Sequence, residues 1–280
     1  MTHTRVIERK SGRTLALHHL AGVGDQPLLI SHATGFHGRC YTEMAEHLSE
    51  RWSIWALDYS GHGLSPAPDA PLADWHPFAD DVLSVAATIA PSGGLRVFGH
   101  SMGGAAVLLA SLLEPTAFSR LVAFEPIAPP PTPGLDPDDL PIVKGAVRRR
   151  PGFESIEAAI TNYSGKFPMS AFTPRCLDDY VRFGMEESTN GATLRCVPSF
   201  EASVFRGAHT NALWDRLGDI DLPTDVISGV VEDHQPSAFA SAVADRLTHG
   251  RLHLHTEMDH FGPFVVPEHC ARILDGLMAD

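Results

Sequence analysis

The residue best suited to covalent chemistry in this sequence is Ser101, at the centre of the segment GHSMGG, residues 99–104. The apolar run before it, 95–98, predicts a buried strand, and the small and apolar residues after it predict a helix. A serine on a sharp turn from a strand into a helix can present its hydroxyl as a nucleophile, provided that flanking glycines leave room for the neighbouring elements. The N-terminus of the helix would then stabilise a developing oxyanion. The pattern therefore predicts a nucleophilic serine rather than a serine in an ordinary turn.

Metal ligation is the second chemistry that the residue types permit. His253 and His255 alternate along a predicted strand, 251–255, and therefore share one face. A metal pair is one interpretation, but we favour packed or exposed strand histidines, because no carboxylate or cysteine cluster accompanies them. The four cysteines lack the close paired spacing of a metal knuckle; they are Cys40, Cys176, Cys196 and Cys270. We therefore expect no metal site.

The elements that must position Ser101 alternate between strands and helices. The predicted strands are 5–8, 13–19, 27–31, 52–57, 95–98, 121–124, 225–228 and 251–255. The predicted helices are 40–48, 74–89, 105–113, 237–247 and 268–278. Strands that alternate with helices imply a parallel sheet in an α/β fold.

Seven prolines between residues 126 and 141 interrupt this alternation. Residues 128–222 then show helical and loop patterns without a convincing strand. The candidate helices in this segment are 142–149, 153–163, 176–185 and 199–205. We predict that 128–222 form a helical cap, inserted into a core made of residues 1–127 and 223–280.

Composition narrows the class of protein. The chain has 280 residues, of which 44% are hydrophobic, and its net charge is −13. Such a charge argues against a nucleic-acid partner or an anionic membrane surface. The sequence opens with no apolar signal-peptide run and contains no stretch apolar enough to span a bilayer. We expect a cytoplasmic protein with reduced cysteines; its oligomeric state cannot be read from the sequence.

Four segments in this order resemble the α/β-hydrolase superfamily, in its branch with a helical cap. They are HATGF at 32–36, DYSGHGLS at 58–65, GHSMGG at 99–104 and DHFGP at 259–263. The resemblance covers both halves of the predicted sheet and implies the α/β-hydrolase fold: a mostly parallel central sheet flanked by helices, with an inserted cap. The cap segment itself carries no comparable signature.

The resemblance implies a catalytic triad in the order serine, acid, histidine. Ser101 matches the nucleophile, and His260 matches the base because it lies between the last strand and the last helix. The matching segments contain three further histidines, which we interpret as packing and hydrogen-bonding supports: His32, His62 and His100.

The acid of the triad is open to more than one assignment. The family usually places it a few residues past a glycine after the strand 225–228. Asp233 lies four residues after Gly229 and is our favoured assignment, whereas Glu232 lies at the commoner spacing of three. Glu125, after the strand 121–124, is a less favoured substitute. Its alternative role is structural, pairing with the turn around Ser101.

The resemblance also implies an oxyanion hole made of two backbone N–H groups. One belongs to Met102, directly after the nucleophile, and the other to Thr34, the third residue of HATGF. The family often has glycine at the position of Ala33, which leaves Gly35 as an alternative donor.

These features imply a serine hydrolase that cleaves a small-molecule carboxylic ester or related acyl bond through an acyl-enzyme, without a cofactor. The alternatives are a cofactor-free carbon–carbon bond hydrolase or lyase on the same triad, or a non-catalytic ligand-binding member of the fold.

The aromatic residues of the predicted cap have two interpretations: they line an apolar pocket, or they pack the cap's own core, which we favour. They are Phe167, Phe172, Tyr180, Phe183, Phe205 and Trp214. The run 148–150, three arginines, would attract an anionic group or, as we favour, form a solvated helix end.

Overall fold

An eight-stranded sheet forms the centre of the molecule. The computed structural model describes residues 3–9, 12–48, 51–68, 72, 74–210, 212–232 and 235–279. The strands are β1 His3–Glu8, β2 Thr14–Ala21, β3 Gln26–Ser31, β4 Trp52–Leu57, β5 Leu95–His100, β6 Phe118–Phe124, β7 Gly152–Phe153, β8 Met185–Ser188, β9 Gly191–Leu194, β10 Thr224–Ser228 and β11 Gly250–Leu254.

The central sheet has the order β1-β2-β4-β3-β5-β6-β10-β11. The pairs β1–β2 and β2–β4 are antiparallel, and all other pairs are parallel. Successive residues of β3 enter different cores: Leu29 packs on one face, and Leu28 and Ile30 pack on the other. Strands of a parallel sheet are buried on both faces, which is why they appear in the sequence as continuous apolar runs. The prediction of a mostly parallel α/β sheet is confirmed.

Helices cover both faces of the sheet. They are α1 Thr42–Glu46, α2 His76–Ile89, α3 Met102–Leu113, α4 Pro141–Val147, α5 Ile156–Ser164, α6 Pro174–Gly184, α7 Pro198–Gly207, α8 Leu213–Arg216, α9 Ser237–Arg246, α10 Gly262–Val265 and α11 Pro267–Ala279. Buried residues of α2, α3 and α9 belong to the core on one face, and those of α1 and α11 to the core on the other. Among the described residues, no helix is long and apolar enough to cross a bilayer.

The segment 128–222 contains the predicted helices, which correspond to α4, α5, α6 and α7. Proline at the first helical position begins α4, α6 and α7, where its missing N–H costs no helical hydrogen bond. The segment also contains a three-stranded antiparallel sheet in the order β7-β9-β8, so the expectation that it lacks strands is wrong. These strands have only two to four residues, too few for an alternating pattern to stand out.

The segment 128–222 packs against loops and a short helix of the rest of the chain. Tyr163, Phe172 and Tyr180 share one hydrophobic cluster with Phe36 and Phe264, which belong to the loop after β3 and to α10. The division into a core and a cap remains a prediction, but this packing brings residues of 128–222 against the loops that carry the candidate site.

Buried neutral histidines are an unusual feature of this core. Burial lowers the pKa of His32 to about 3 and the pKa values of His37 and His62 to about 4. Burial also holds the pKa of His100 well below its usual value. In the unfolded chain each imidazole takes up a proton near pH 6.5, so folding is opposed below that pH.

We predict that the protein loses stability steeply between pH 6 and pH 4.5. Over that range the four histidines are protonated only when unfolded. The carboxyls of buried Asp81 and half-buried Asp179, whose pKa values burial raises to about 6, are protonated only when folded. The net difference of two protons corresponds to roughly 3 kcal/mol of unfolding free energy per pH unit. Urea unfolding followed by circular dichroism at pH 7.0, 6.0, 5.0 and 4.5 measures this.

The effect arises from burial, so 0.5 M NaCl should not remove it, although salt screens exposed ion pairs. A urea midpoint that stays constant from pH 6.0 to pH 4.5 contradicts the prediction.

Candidate active site

Ser101 occupies a sharp turn between β5 and α3, as the sequence predicts. Its backbone has φ 57° and ψ −120°, a conformation that residues with a side chain rarely adopt. The glycines around it permit close contacts between backbones. A Cβ atom on Gly99 would lie 2.6 Å from the Cα of Gly104, and one on Gly103 would lie 2.1 Å from the carbonyl oxygen of Ser31. The turn is therefore a strained conformation that close packing of the surrounding backbone maintains.

His260 lies in the loop between β11 and α10, and its ring is held by a buried carboxylate. Its Nδ1 is 2.6 Å from Oε2 of Glu125, a residue with no exposed side-chain surface. A carboxylate oxygen accepts, so Nδ1–H donates and Nε2 is left to take a proton from a nucleophile. The other oxygen of Glu125, Oε1, accepts a hydrogen bond of 2.8 Å from the N–H of Gly229. Both carboxylate oxygens are thus engaged, and the side chain is fixed.

Among the described residues, the carboxylate beside His260 is Glu125, the least favoured of the predicted acids. Glu125 follows β6 with φ 44°, and its N–H donates to the carbonyl oxygen of Ile227 on β10. Glu232 is exposed, and its N–H donates to the Oγ of Ser237. Asp233 lies outside the described residues. Among the described residues, the loop after β10 supplies an N–H donor to Glu125, and Glu125 is the carboxylate that contacts His260. The assignment of the triad acid to Asp233, or to Glu232, stays a prediction, with Glu125 as its alternative.

The loop after β3 lies against the start of α3. A Cβ atom on Gly103 would be 2.7 Å from the carbonyl oxygen of His32, so the two backbones are in direct contact. The N–H of Ala33 donates to Tyr41 Oη, whereas no hydrogen bond of the described residues uses the N–H of Thr34. Met102 begins α3, and the first N–H groups of a helix have no partner within it. The two predicted oxyanion donors, Thr34 and Met102, thus lie in adjacent segments. Their N–H groups make no hydrogen bond among the described residues.

A chain of hydrogen bonds, buried except at its His260 end, joins this loop to the loop of His260. Tyr41 Oη lies 2.8 Å from Nδ1 of His100, and Nε2 of His100 lies 2.9 Å from the carbonyl oxygen of His260. A carbonyl oxygen only accepts, so Nε2–H donates and Nδ1 accepts from the phenol. Tyr41 in turn accepts from the N–H of Ala33. The predicted supporting role of His100 corresponds to this bridge, which requires a neutral imidazole.

The segment 128–222 contributes a polar cluster beside the loop after β3. Nη1 of Arg149 lies 2.8 and 2.9 Å from the two oxygens of Glu201, and Nη2 donates to the hydroxyls of Tyr163 and Tyr180. The Arg149 side chain is only 17% exposed, so the prediction of a solvated helix end is wrong at this residue, although its two arginine neighbours are exposed. A Cβ atom on Gly35 would lie 2.2 Å from Oε1 of Glu201, which places the pair against the loop after β3.

Carboxylates accompany both His253, on β11, and His255, which directly follows β11, contrary to the sequence expectation. His253 lies 2.8 Å from a carboxylate oxygen of buried Asp225. His255 and His269 both contact one oxygen of Glu257, at 3.2 and 2.7 Å. One ligand atom from each of these last three residues lies within 4.8 Å of the others, so they are the group among the described residues that could hold a metal ion.

Comparison with known proteins assigns the chain to a family. A model of the alpha/beta hydrolase family matches residues 28–274. The chain belongs to the alpha/beta hydrolase family. The prediction that the chain belongs to the α/β-hydrolase superfamily is confirmed, and so is the predicted fold class.

Several relatives of this alpha/beta hydrolase have described activities. Monoglyceride lipase of Rattus norvegicus is 33% identical over 104 residues, which are 36% of this chain and 34% of that protein, so the match spans about a third of the rat protein's length. The monoglyceride lipase homolog of Monkeypox virus is 24% identical over 206 residues, which are 72% of this chain and 69% of that one. The (E)-2-((N-methylformamido)methylene)succinate hydrolase of Acinetobacter baylyi is 20% identical over 267 residues, 95% and 94% of the two chains.

Solved structures share the whole fold. E-2-(acetamidomethylene)succinate hydrolase superposes with a TM-score of 0.80 at 20% identity, covering 100% of both chains. An esterase from Thermogutta terrifontis superposes with a TM-score of 0.74 at 17% identity, covering 99% of this chain and 98% of that one. At such identities the likeness concerns the fold.

We predict that Tyr41→Phe lowers both stability and activity. The change leaves Nδ1 of His100 and the N–H of Ala33 unsatisfied and buried, which costs about 1–3 kcal/mol of unfolding free energy. It also releases both loops of the candidate site, and we expect roughly a tenfold loss of kcat because small misplacements of reacting groups are costly.

Tyr59→Phe is the matched control, because it removes a comparable buried hydrogen bond, 2.6 Å long, to the Oγ of Ser31. Urea unfolding should show a loss for both variants, whereas ester hydrolysis should fall only in Tyr41→Phe. Equal losses of kcat in the two variants would show that the bridge has no special part in positioning the site.

Proposed function

We propose that this alpha/beta hydrolase cleaves a small-molecule carboxylic ester or a related acyl bond through an acyl-enzyme on Ser101. The observation that supports it best is the part-buried hydrogen bond between His260 and Glu125. The His260 ring lies 4.8 Å from the ring of His100, the residue before Ser101 on its strained turn. A carboxylate that holds an imidazole by Nδ1 leaves Nε2 as a base, which is the arrangement that activates a serine hydroxyl.

The reaction begins when Ser101 Oγ attacks the carbonyl carbon and His260 Nε2 takes its proton. Glu125 stabilises the resulting imidazolium without taking the proton itself. The tetrahedral intermediate collapses as the imidazolium gives the proton to the leaving alcohol. Water, deprotonated by His260, then attacks the acyl-enzyme, and the acid is released with Ser101 regenerated. The sequence of steps consumes one water and needs no cofactor.

The negative charge of each tetrahedral intermediate would be held by the N–H groups of Thr34 and Met102. Both groups have no partner among the described backbone hydrogen bonds, and Met102 contributes the positive end of the α3 dipole. Each such donor is worth about 3 kcal/mol in the transition state. The chain of hydrogen bonds from Ala33 through Tyr41 and His100 to His260 fixes the position of these donors relative to the base.

The proposed substrate is a small molecule whose acyl bond reaches Ser101 beneath the cap segment 128–222. Relatives described as monoglyceride lipases and as succinate hydrolases support cleavage of acyl bonds in small molecules. Carbon–carbon bond hydrolase or lyase chemistry, or binding without catalysis, would appear as failure of the ester tests below. We also propose a cytoplasmic location, supported by four cysteines that are all buried and free.

We predict that Ser101→Ala abolishes hydrolysis of p-nitrophenyl butyrate and leaves the fold intact, because the hydroxyl reacts and does not pack. A fluorophosphonate reagent should label the wild type at Ser101 and spare the variant. Circular dichroism and urea unfolding check the fold. Labelling at another residue, or unchanged turnover in the variant, would remove Ser101 from the mechanism.

We predict that Glu125→Gln lowers kcat by roughly 10²–10⁴-fold, because the amide keeps the shape but loses the charge that stabilises the imidazolium. A comparable change in a serine protease costs about 10⁴-fold. Glu232→Gln is the matched control and should change kcat by less than about twofold, since exposed groups away from the site have small effects.

Asp233→Asn completes the series, because Asp233 was the acid favoured by the sequence. If Asp233→Asn is inactive while Glu125→Gln keeps full activity, the acid belongs to the loop after β10. Urea unfolding of each variant separates lost catalysis from lost folding.

A further inference from the structure

Two imidazoles and a carboxylate meet at the surface, beside the loop that carries His260. His255 directly follows β11, Glu257 lies two residues further on, and His269 is on α11. One oxygen of Glu257, Oε1, lies 3.2 Å from Nδ1 of His255 and 2.7 Å from Nε2 of His269. The two rings are steeply inclined to each other, with centroids 6.2 Å apart. These three residues, which we call the loop–helix cluster, thus bring their donor atoms together from two elements of the fold.

The donor set of the loop–helix cluster suits a first-row transition metal. Two imidazole nitrogens and one carboxylate oxygen bind Zn²⁺ in proteins, with water in the remaining position. Bonds of about 2.0–2.2 Å place neighbouring donors roughly 3.0–3.4 Å apart. One ligand atom from each of the three residues already lies within 4.8 Å of the others. Small side-chain rotations are therefore enough to complete the site.

The backbone that carries the cluster is fixed, which lowers the cost of assembling a site. The N–H of His255 donates to the carbonyl oxygen of Ser228 at 2.8 Å, and its carbonyl oxygen accepts from the N–H of Met258 at 3.3 Å. His269 is the third residue of α11, a helix of 13 residues. The side chains of His255 and His269 are 25% and 32% exposed, so neighbours restrain them while solvent still reaches them.

We propose that the loop–helix cluster binds Zn²⁺ through Nδ1 of His255, a carboxylate oxygen of Glu257 and Nε2 of His269. Water completes the coordination of the ion. The bound ion connects the segment before His260 to α11 and stabilises the folded state. None of the three ligands belongs to the candidate triad, so this site is separate from the proposed hydrolysis.

Arg272 is the neighbour that weakens the site. Its Nη2 lies 3.3 Å from Nδ1 of His269, and its Nη1 lies 2.7 Å from Oε1 of Glu268. An imidazole that binds a metal through Nε2 carries its proton on Nδ1, which usually donates to a carbonyl or carboxylate oxygen. A guanidinium offers only donors there and adds a positive charge. We expect the Arg272 side chain, which is 62% exposed, to turn away when the ion binds.

Titration with Zn²⁺ in competition with a chromogenic chelator tests the proposal, using protein treated with EDTA and desalted at pH 7.5. We expect the wild type to bind Zn²⁺ with a Kd of about 10 µM or tighter, and to bind Ca²⁺ far more weakly because Ca²⁺ prefers oxygen ligands. His255→Gln and His269→Gln each remove a nitrogen ligand and should weaken Zn²⁺ binding at least about tenfold, because even the outer partners of a ligand contribute roughly 10–100-fold.

His249→Gln is the matched control. His249 pairs with Asp221 at 2.9 Å and is 52% exposed, but within the described part of the chain this pair belongs to no group of three ligating residues. The Zn²⁺ affinity should therefore not change. A wild-type Kd weaker than about 10 µM, an affinity that either ligand variant leaves unchanged, or an equal loss in His249→Gln overturns the proposal.

Arg272→Gln tests the site by a gain of affinity, which a loss of folding cannot imitate. The amide removes the positive charge and offers Nδ1–H of His269 a carbonyl acceptor. Zn²⁺ binding should tighten at least about threefold. Unchanged or weaker binding would overturn the assignment of Nε2 of His269 as the ligand atom.

Thermal unfolding followed by circular dichroism measures the stabilising effect of the ion. A free Zn²⁺ concentration about tenfold above Kd should raise the wild-type Tm by about 3 °C or more, because the ion binds the assembled site of the folded state. The same concentration should leave the Tm of His269→Gln unchanged. An equal shift in the two proteins would mean that Zn²⁺ acts elsewhere, and the proposed site would be wrong.

Discussion

The geometry of the candidate site depends on one buried carboxylate. Glu125 is fully buried and engages the N–H of Gly229 with one oxygen and the imidazole of His260 with the other. A buried carboxylate is costly unless its oxygens are hydrogen-bonded, so each partner is required by the others. The result ties the end of β6, the loop after β10 and the loop before α10 into one arrangement, in which His260 has a single orientation.

A second constraint extends from His260 to the oxyanion loop. Through His100 and Tyr41, the carbonyl of His260 is connected to the N–H of Ala33 by three hydrogen bonds, two of them buried and the one to His260 partly buried. The bridge works only while His100 is neutral, and burial ensures this by lowering its pKa far below 7. Keeping these imidazoles neutral in the core is expected to make the fold sensitive to acid, and it fixes the position of His260 relative to the loop of Ala33 and Thr34.

The sequence predicts the parts of this site that depend on local backbone geometry. The elbow at Ser101 requires glycines at set spacings, and the position of His260 between a strand and a helix is visible in the apolar pattern. The carboxylate that contacts His260 cannot be predicted in the same way, because the assembled sheet determines which strand end faces His260. Glu125 stands at the end of β6, next to β5 in the sheet, and a count of residues along the loop after β10 cannot reveal that.

Arg149 shows the same limit of sequence-based prediction in the segment 128–222. Three successive arginines after a helix are typical of a solvated helix end, and the sequence does not reveal that Glu201, 52 positions later, contacts one of them. Stability alone does not account for this pair. Removing two charges from water costs several kcal/mol, and well-packed apolar residues often serve as well or better. The pair lies instead at the contact between the cap and the loop after β3, where it supplies a carboxylate acceptor and holds two phenols in place. A buried polar cluster at this contact fixes how the segment 128–222 meets the loop after β3, because buried charges are costly unless their hydrogen bonds are made.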